Sequence, residues 1–363
     1  MQKFMKILLI LTCVGISAAL VYGGASNQKS PEEIADELYS SCNNPGNPSI
    51  SVLVAKDGEI IVEKSYGLRN VETEEKATPA TNYRLGCITK PFTSMGILIL
   101  KERGLIELDW PVNKVLTDFP EYAKNVTIRN LLQNSSGLPK YESLWSKNGA
   151  TFYDKDVYEL IKKNDKLLFH PGYRVEIDND TNFAILALVI EKISGMKYQD
   201  FMSENIFKPL GMNNTVALVE GYNTVPERAY GSVRKEQGFV VEDQSAYSAV
   251  LGDGGIYSNV HDLYLWDQAL EGNKIVSAET TEEAMKTDKG ISEPYFYGSY
   301  YSCGWHLETM WGHPIIQIGG ETIGFTGHYI RVPEKKVCVI ILTNYDQHWG
   351  VVEDAEKLAK SVL

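Results

Sequence analysis

"YRLGCITKPFTSMGILILKERG", residues 83–104, decides how the chain is built. A strand-like start ends at Gly86. From Thr89 to Arg103 the apolar residues Phe92, Met95, Ile97, Leu98 and Ile99 keep helical company, and Gly104 supplies a stop. Proline is tolerated only in the first turn of a helix, so Pro91 places Cys87 at the helix entrance. Residues three apart share a helix face, which brings the Cys87 sulfur and the Lys90 ammonium together. That ammonium and the positive end of the helix both favour a thiolate, so the sequence predicts a Cys87 thiol more acidic than a free one.

Strand signals lie at the two ends of the chain. "SISVLVAKDGEIIVEKSYGLRN" (49–70) reads as a hairpin turned at Asp57-Gly58, and "HYIRVPEKKVCVIILTNY" (328–345) as another turned at Pro333-Glu334. Ahead of the first hairpin, Ser30-Pro31-Glu32-Glu33 combines a capping serine, a first-turn proline and an acid at the third position, a helix start. "VVEDAEKLAKSVL" (351–363) is an amphipathic closing helix. The middle carries helical periodicity, as in "TNFAILALVIEKISG" (181–195) and "VHDLYLWDQALEG" (260–272). The economical arrangement is α+β: one antiparallel sheet built from both ends, flanked by helices, with a large helical insertion.

Composition sets the class. Of 363 residues 44% are hydrophobic and 23% charged, enough apolar surface for a large core, and the net charge of −12 with no basic stretch excludes a nucleic-acid binder. Lys3 and Lys6 precede an apolar run from Ile7 to Tyr22 and the small residues Gly23, Gly24 and Ala25. That order reads as a signal peptide over residues 1–25, with an uncleaved N-terminal anchor as the alternative, so the protein is expected to be periplasmic or extracellular. Thr12 before Cys13 argues against a lipidated cysteine. No cysteine or histidine spacing suggests zinc, and no metal or cofactor is expected. Cys338 reads as a small core residue of a strand, Cys303 in "YYSCGW" (300–305) as part of another, and Cys87 as free.

Around Cys87 the chain resembles class C β-lactamases and the related penicillin-binding-protein-like serine hydrolases. The stretch 83–112 is similar to their S-x-x-K region, with Cys87 in the serine position and Lys90 matching the lysine. The likeness continues through "VTIRNLLQNSSGLPKY" (126–141), "FHPG" (169–172), residues 187–215, "GDGGIYSNVHDLYLWDQAL" (252–270) and "IGGETIGFTGHYIRVPEKKVCVIILTN" (318–344). It implies a β-lactamase/transpeptidase-like domain over residues 30–363. It also implies an acyl-enzyme at Cys87 and an oxyanion hole made by the N–H groups of Cys87 and Glu321 beside Gly320.

The departures are as informative. Where the family has Tyr-x-Asn this chain reads "VEIDNDTNF" (175–183), one residue longer. Aligned on Asn179, which would then orient substrate, the tyrosine position holds Ile177. Aligned from the helix side it holds Asp178, with Asp180 in the asparagine position. The family's Lys-Thr-Gly or His-x-Gly reads Ile318-Gly319-Gly320. The altered groups are those that grip a β-lactam carboxylate and assist deacylation, so β-lactam hydrolysis is not the expected activity. His170, His313 and His328 read as loop or strand residues, Tyr141 as loop packing, and Tyr301 and Trp305 as cleft or core aromatics.

Two functions compete. Three altered motifs fit a pseudoenzyme that keeps the cleft as a binding site. Retention of a nucleophile and of Lys90 fits an active thiol enzyme that hydrolyses or transfers the acyl group of a small-molecule or peptide amide or ester. A thioester reacts readily with amines, and the loss of water-activating groups favours transfer. Membrane association is expected only through the N-terminal segment.

Overall fold

The computed structural model describes residues 29–145, 151–177, 179–286, 299–346 and 350–363. The N-terminal segment read as an export signal, and Asp178, lie outside the described residues. Ser30 caps the first helix, α1 (Pro31–Tyr39): its hydroxyl accepts from the Glu33 N–H while the Glu33 carboxylate accepts from the Ser30 N–H. The first hairpin forms as β1 (Ile50–Lys56) and β2 (Glu59–Tyr66). It turns at Asp57 (φ 54°) and Gly58 (φ 79°), the pair of positive angles that matches the twist of the strands.

The middle of the chain supplies the helices α2 (Lys90–Glu102), α3 (Thr181–Ser194) and α4 (Val260–Glu271). The C-terminal part returns to the sheet as β3 (Tyr300–Ser302), β4 (Trp305–Met310), β5 (His313–Thr322), β6 (Phe325–Val332) and β7 (Val337–Thr343), and ends in α5 (Val351–Val362). The strand order is β3-β4-β5-β6-β7-β1-β2, with every neighbour antiparallel. Pairing of β1 with β7, Leu53 opposite Ile340, joins the two ends of the chain in one sheet.

Strand alternation gives that sheet two apolar faces. Leu53, Ile340, Tyr329 and Ile318 face the large core that contains Phe92 and Ile97 of α2 and Trp266 of α4. Val52, Val54, Val339 and Ile341 face Ile34 and Ala35 of α1 and Ala355 and Leu358 of α5. The helical insertion also carries short strands: Tyr83–Arg84 pairs with Ile256–Ser258, and this little ladder leads directly into Gly86. One local reading is corrected. Cys303 is not in a strand; with Gly304 it forms the tight turn between β3 and β4, at φ 53° and 83°.

Candidate active site

Residues Gly86–Thr89 make a single 3₁₀ turn that runs into α2. Two backbone approaches fix it. A Cβ on Gly86, which has φ 53°, would lie 3.0 Å from the Glu321 amide nitrogen, and a Cβ on Gly320 would lie 2.0 Å from the Leu85 carbonyl oxygen. Only glycine permits both contacts. Strand β4 has already parted from β5 at His306–Gln317, so residues Ile318–Thr322 are left alongside the turn that carries Cys87.

Lys90 is 3% exposed, and its Nζ forms an ion pair with Asp180 Oδ1 at 2.6 Å. The Phe183 ring lies below it, 5.6 Å from the ammonium. Burial works against the charge of Lys90, but Asp180, Cys87 and Tyr301 outweigh it and hold the group well above its ordinary value, as an ammonium. Cys87 keeps some exposed surface while its side chain packs on the core. Burial pushes its thiol up to about 11; Lys90 opposes this, and the charges of Asp180 and Asp253 add to it.

The expected acidified thiol is therefore corrected. The lysine is in place, but its charge is neutralised by Asp180 and does not offset desolvation. At neutral pH Cys87 is a thiol beside an ammonium–carboxylate pair.

A second acid stands behind the first. Asp253, from the short helix Leu251–Gly254, is buried and accepts a hydrogen bond from Tyr141 Oη at 3.1 Å. Burial, then the negative charges of Asp180 and Asp154, hold its carboxyl well above the usual range. Asp154 accepts from the N–H groups of Leu251 and Gly252, so it positions that helix.

The structure brings together Cys87, Lys90, Gly320 and the backbone of Glu321, whose side chain is exposed. Asn179 is placed differently. It is buried, and its amide nitrogen is committed to the Leu138 carbonyl at 2.6 Å. Asp180 meets Lys90 instead, as the count from the helix side gives, and Ile177 packs against the core. Ile318 is 3% exposed and faces the same core, so the third motif carries no cation. His170 is exposed, His313 pairs with Glu334, and His328 is buried with its Nε2 on Gln317 Oε1 at 2.9 Å. None of the three enters the site.

Sequence reasoning misses Asp253, although it lies in "GDGGIYS", and reads Tyr141 as loop packing and Tyr301 as a cleft or core aromatic. An acid between glycines in an otherwise apolar stretch was the available signal for Asp253.

A Cys-x-x-Lys turn wedged between helices and a seven-stranded antiparallel sheet is the arrangement of the β-lactamase/transpeptidase-like fold. Residues 35–363 match the Beta-lactamase family model, and the chain belongs to that family of penicillin-binding-protein-like hydrolases. It is similar to a penicillin-binding protein of Bacillus subtilis (strain 168), 29% identical over 336 residues that cover 86% of this chain and 72% of that one. It is also similar to a D-aminopeptidase of Gluconobacter oxydans (strain 621H), 26% identical over 310 residues, 83% of this chain and 56% of that one. The chain therefore spans little more than half of that second relative. Among solved structures it resembles an octameric penicillin-binding protein homologue from Pyrococcus abyssi, with a TM-score of 0.75 and 27% identity over 89% of this chain and 75% of that one.

Proposed function

We propose that the protein is an exported acyl hydrolase or acyltransferase that attacks an amide or ester carbonyl with Cys87 and passes through an acyl-thioester. The observation that carries this reading is the contact set around Lys90: a thiol three residues away and a carboxylate, Asp180, at 2.6 Å. Because the thiol is protonated, attack must be coupled to loss of its proton. Cys87 gives that proton to Lys90 as Lys90 gives one to Asp180; the sulfur bonds to the carbonyl carbon, and the N–H groups of Cys87 and Glu321 receive the oxyanion. On collapse the carbon–heteroatom bond of the leaving group breaks. The same pair returns the proton to the departing oxygen or nitrogen, which leaves acyl-Cys87. An amine or water then takes the acyl group and the thiol is restored.

Asp180 thus does the work for which the family pattern has a tyrosine, through a lysine that stays charged. Transfer to an amine is the favoured discharge, because a thioester reacts readily with amines and the acceptor brings its own nucleophile. The test is the mass of the protein after exposure to a panel of activated esters, thioesters and peptides, with and without an amine acceptor. An adduct on Cys87 that the acceptor removes as conjugate supports the proposal. Hydrolysis that dominates at saturating acceptor would leave a hydrolase and rule out transfer.

A second reading, a binding protein that has lost catalysis, is favoured by the thiol raised to about 11. It predicts ligand binding with no adduct on Cys87.

A further inference from the structure

Protein interiors pack with few voids larger than a water molecule, yet the large core of this chain opens into a cavity of about 480 Å³. It lies between α2, α4, the helix Ala278–Met285 and strands β4 and β5. Its floor is apolar: Met95 and Leu98 of α2, Trp266 of α4, Val276, and Trp305 of β4 are all buried members of that core. Neither Cys87 nor Lys90 is among the described residues that line it. The Cys303–Gly304 turn closes the end nearest to them. Cys303 lines the cavity, while Gly304 is pressed on α2, where a Cβ would lie 2.6 Å from the Pro91 nitrogen.

The mouth is acidic. The charged residues of the lining are Glu282, Glu308 and Arg331. Arg331 is already matched within the wall, its Nε on Asp267 Oδ1 at 2.6 Å and Glu271 3.9 Å from its Nη2. Glu308 is half-buried and accepts from the Gln317 amide at 3.1 Å, a neutral partner, and Glu282 is exposed. Two carboxylates are therefore left without a cation in the lining to balance them.

We propose that this cavity is a second ligand site, separate from Cys87, and that it takes a hydrophobic amine. The apolar body rests on the tryptophan floor, and the ammonium stays at the mouth with Glu282 and Glu308. Small-molecule sites have this size, about 300–1,000 Å³, and this make-up, apolar walls with a few charged groups that set orientation. A carboxylate of the same shape would lose hydration and meet two like charges. A neutral alcohol would gain the burial without the ion pairs. No bond forms or breaks here, so the inference does not rest on the Cys87 reading.

The experiment is calorimetric titration of the whole protein at neutral pH with octylamine, octanol and octanoate. Octylamine should bind once per chain, about fivefold tighter than octanol, with octanoate weakest, the margin expected for partly solvated ion pairs. Glu282→Gln with Glu308→Gln should remove the advantage of the amine and leave octanol binding unchanged. Leu307→Trp, which puts an indole into the half-buried wall, should abolish binding of both. If that variant fails to fold, the two glutamine substitutions at the mouth still decide. Cys87→Ala should bind octylamine as the wild type does. No octylamine binding, octanoate bound as tightly as octylamine, or binding lost in Cys87→Ala would overturn the inference. A wild-type protein that binds octylamine but never acylates would sink the Cys87 enzyme reading and leave this site standing.

Discussion

On the proposed function, sulfur in place of oxygen as the nucleophile changes what its neighbours must supply. A free thiol ionises near pH 8.5, so it needs less help than a hydroxyl, but burial here removes that advantage. Asp180 holds the balance: it keeps Lys90 charged and raises the thiol. Asp180→Asn should therefore leave the Cys87 thiolate as the counter-charge of Lys90, which makes Cys87 more acidic, with alkylation at pH 7.5 faster by about tenfold. The same variant removes the final proton acceptor, so acylation by an unactivated ester should fall while alkylation rises. A parallel change in both rates would contradict the relay. Lys90→Met should slow both, because it removes a charge that lowers the Cys87 thiol.

The elements that hold these residues were legible in unequal measure. Ser30, the Asp57-Gly58 turn, Pro91 and Gly104 act through their own backbone geometry, so their meaning is local and can be read from sequence. Asp180 meets Lys90 and Asp253 meets Tyr141, partners about 90 and 112 positions earlier in the chain, and no local pattern announces such contacts. The extra residue in "VEIDNDTNF" left two registers open, and only the packing of α3 against α2 chooses Asp180. The desolvation of Cys87 was equally hidden, since it depends on what closes over the sulfur.

Two predictions belong to this scale. Gly320→Ala would drive a methyl group into the Leu85 carbonyl oxygen, 2.0 Å from the ideal Cβ, and should cost about 1–3 kcal/mol in urea unfolding while displacing the nucleophile turn. The paired strands β5 and β6 also bury His328, whose imidazole is pushed down to about 4 by burial and by neighbouring His306. Between pH 6.5 and 4 the unfolded chain binds a proton that the folded chain refuses, so stability falls as pH drops through this window, by about 3 kcal/mol for this group. His328→Gln should flatten that part of the stability profile. An unchanged slope would mean that the carboxylates alone produce it.

At the scale of the molecule, one sheet separates two cores, and the site sits where the larger core meets the open edge of β5. The smaller core depends on α5, whose Leu358 is fully buried. Leu358→Ala should cost about 2–5 kcal/mol in urea unfolding, with little effect on Cys87 chemistry in the protein that remains folded. The charged and apolar pattern of residues 1–25 predicts that protein secreted by a suitable host begins near Ser26 on N-terminal sequencing; an intact Met1 in a soluble cytoplasmic fraction would refute export.

The central claim is that Cys87 carries an acyl group during turnover, and intact-mass spectrometry with peptide mapping tests it most directly. After exposure to an activated ester or thioester, the account predicts one acyl adduct per chain on the peptide containing Cys87. It should be absent in Cys87→Ala, strongly diminished in Cys87→Ser, and discharged when an amine is added. A Cys87 that iodoacetamide reaches but that no acyl donor in the panel labels would contradict the account.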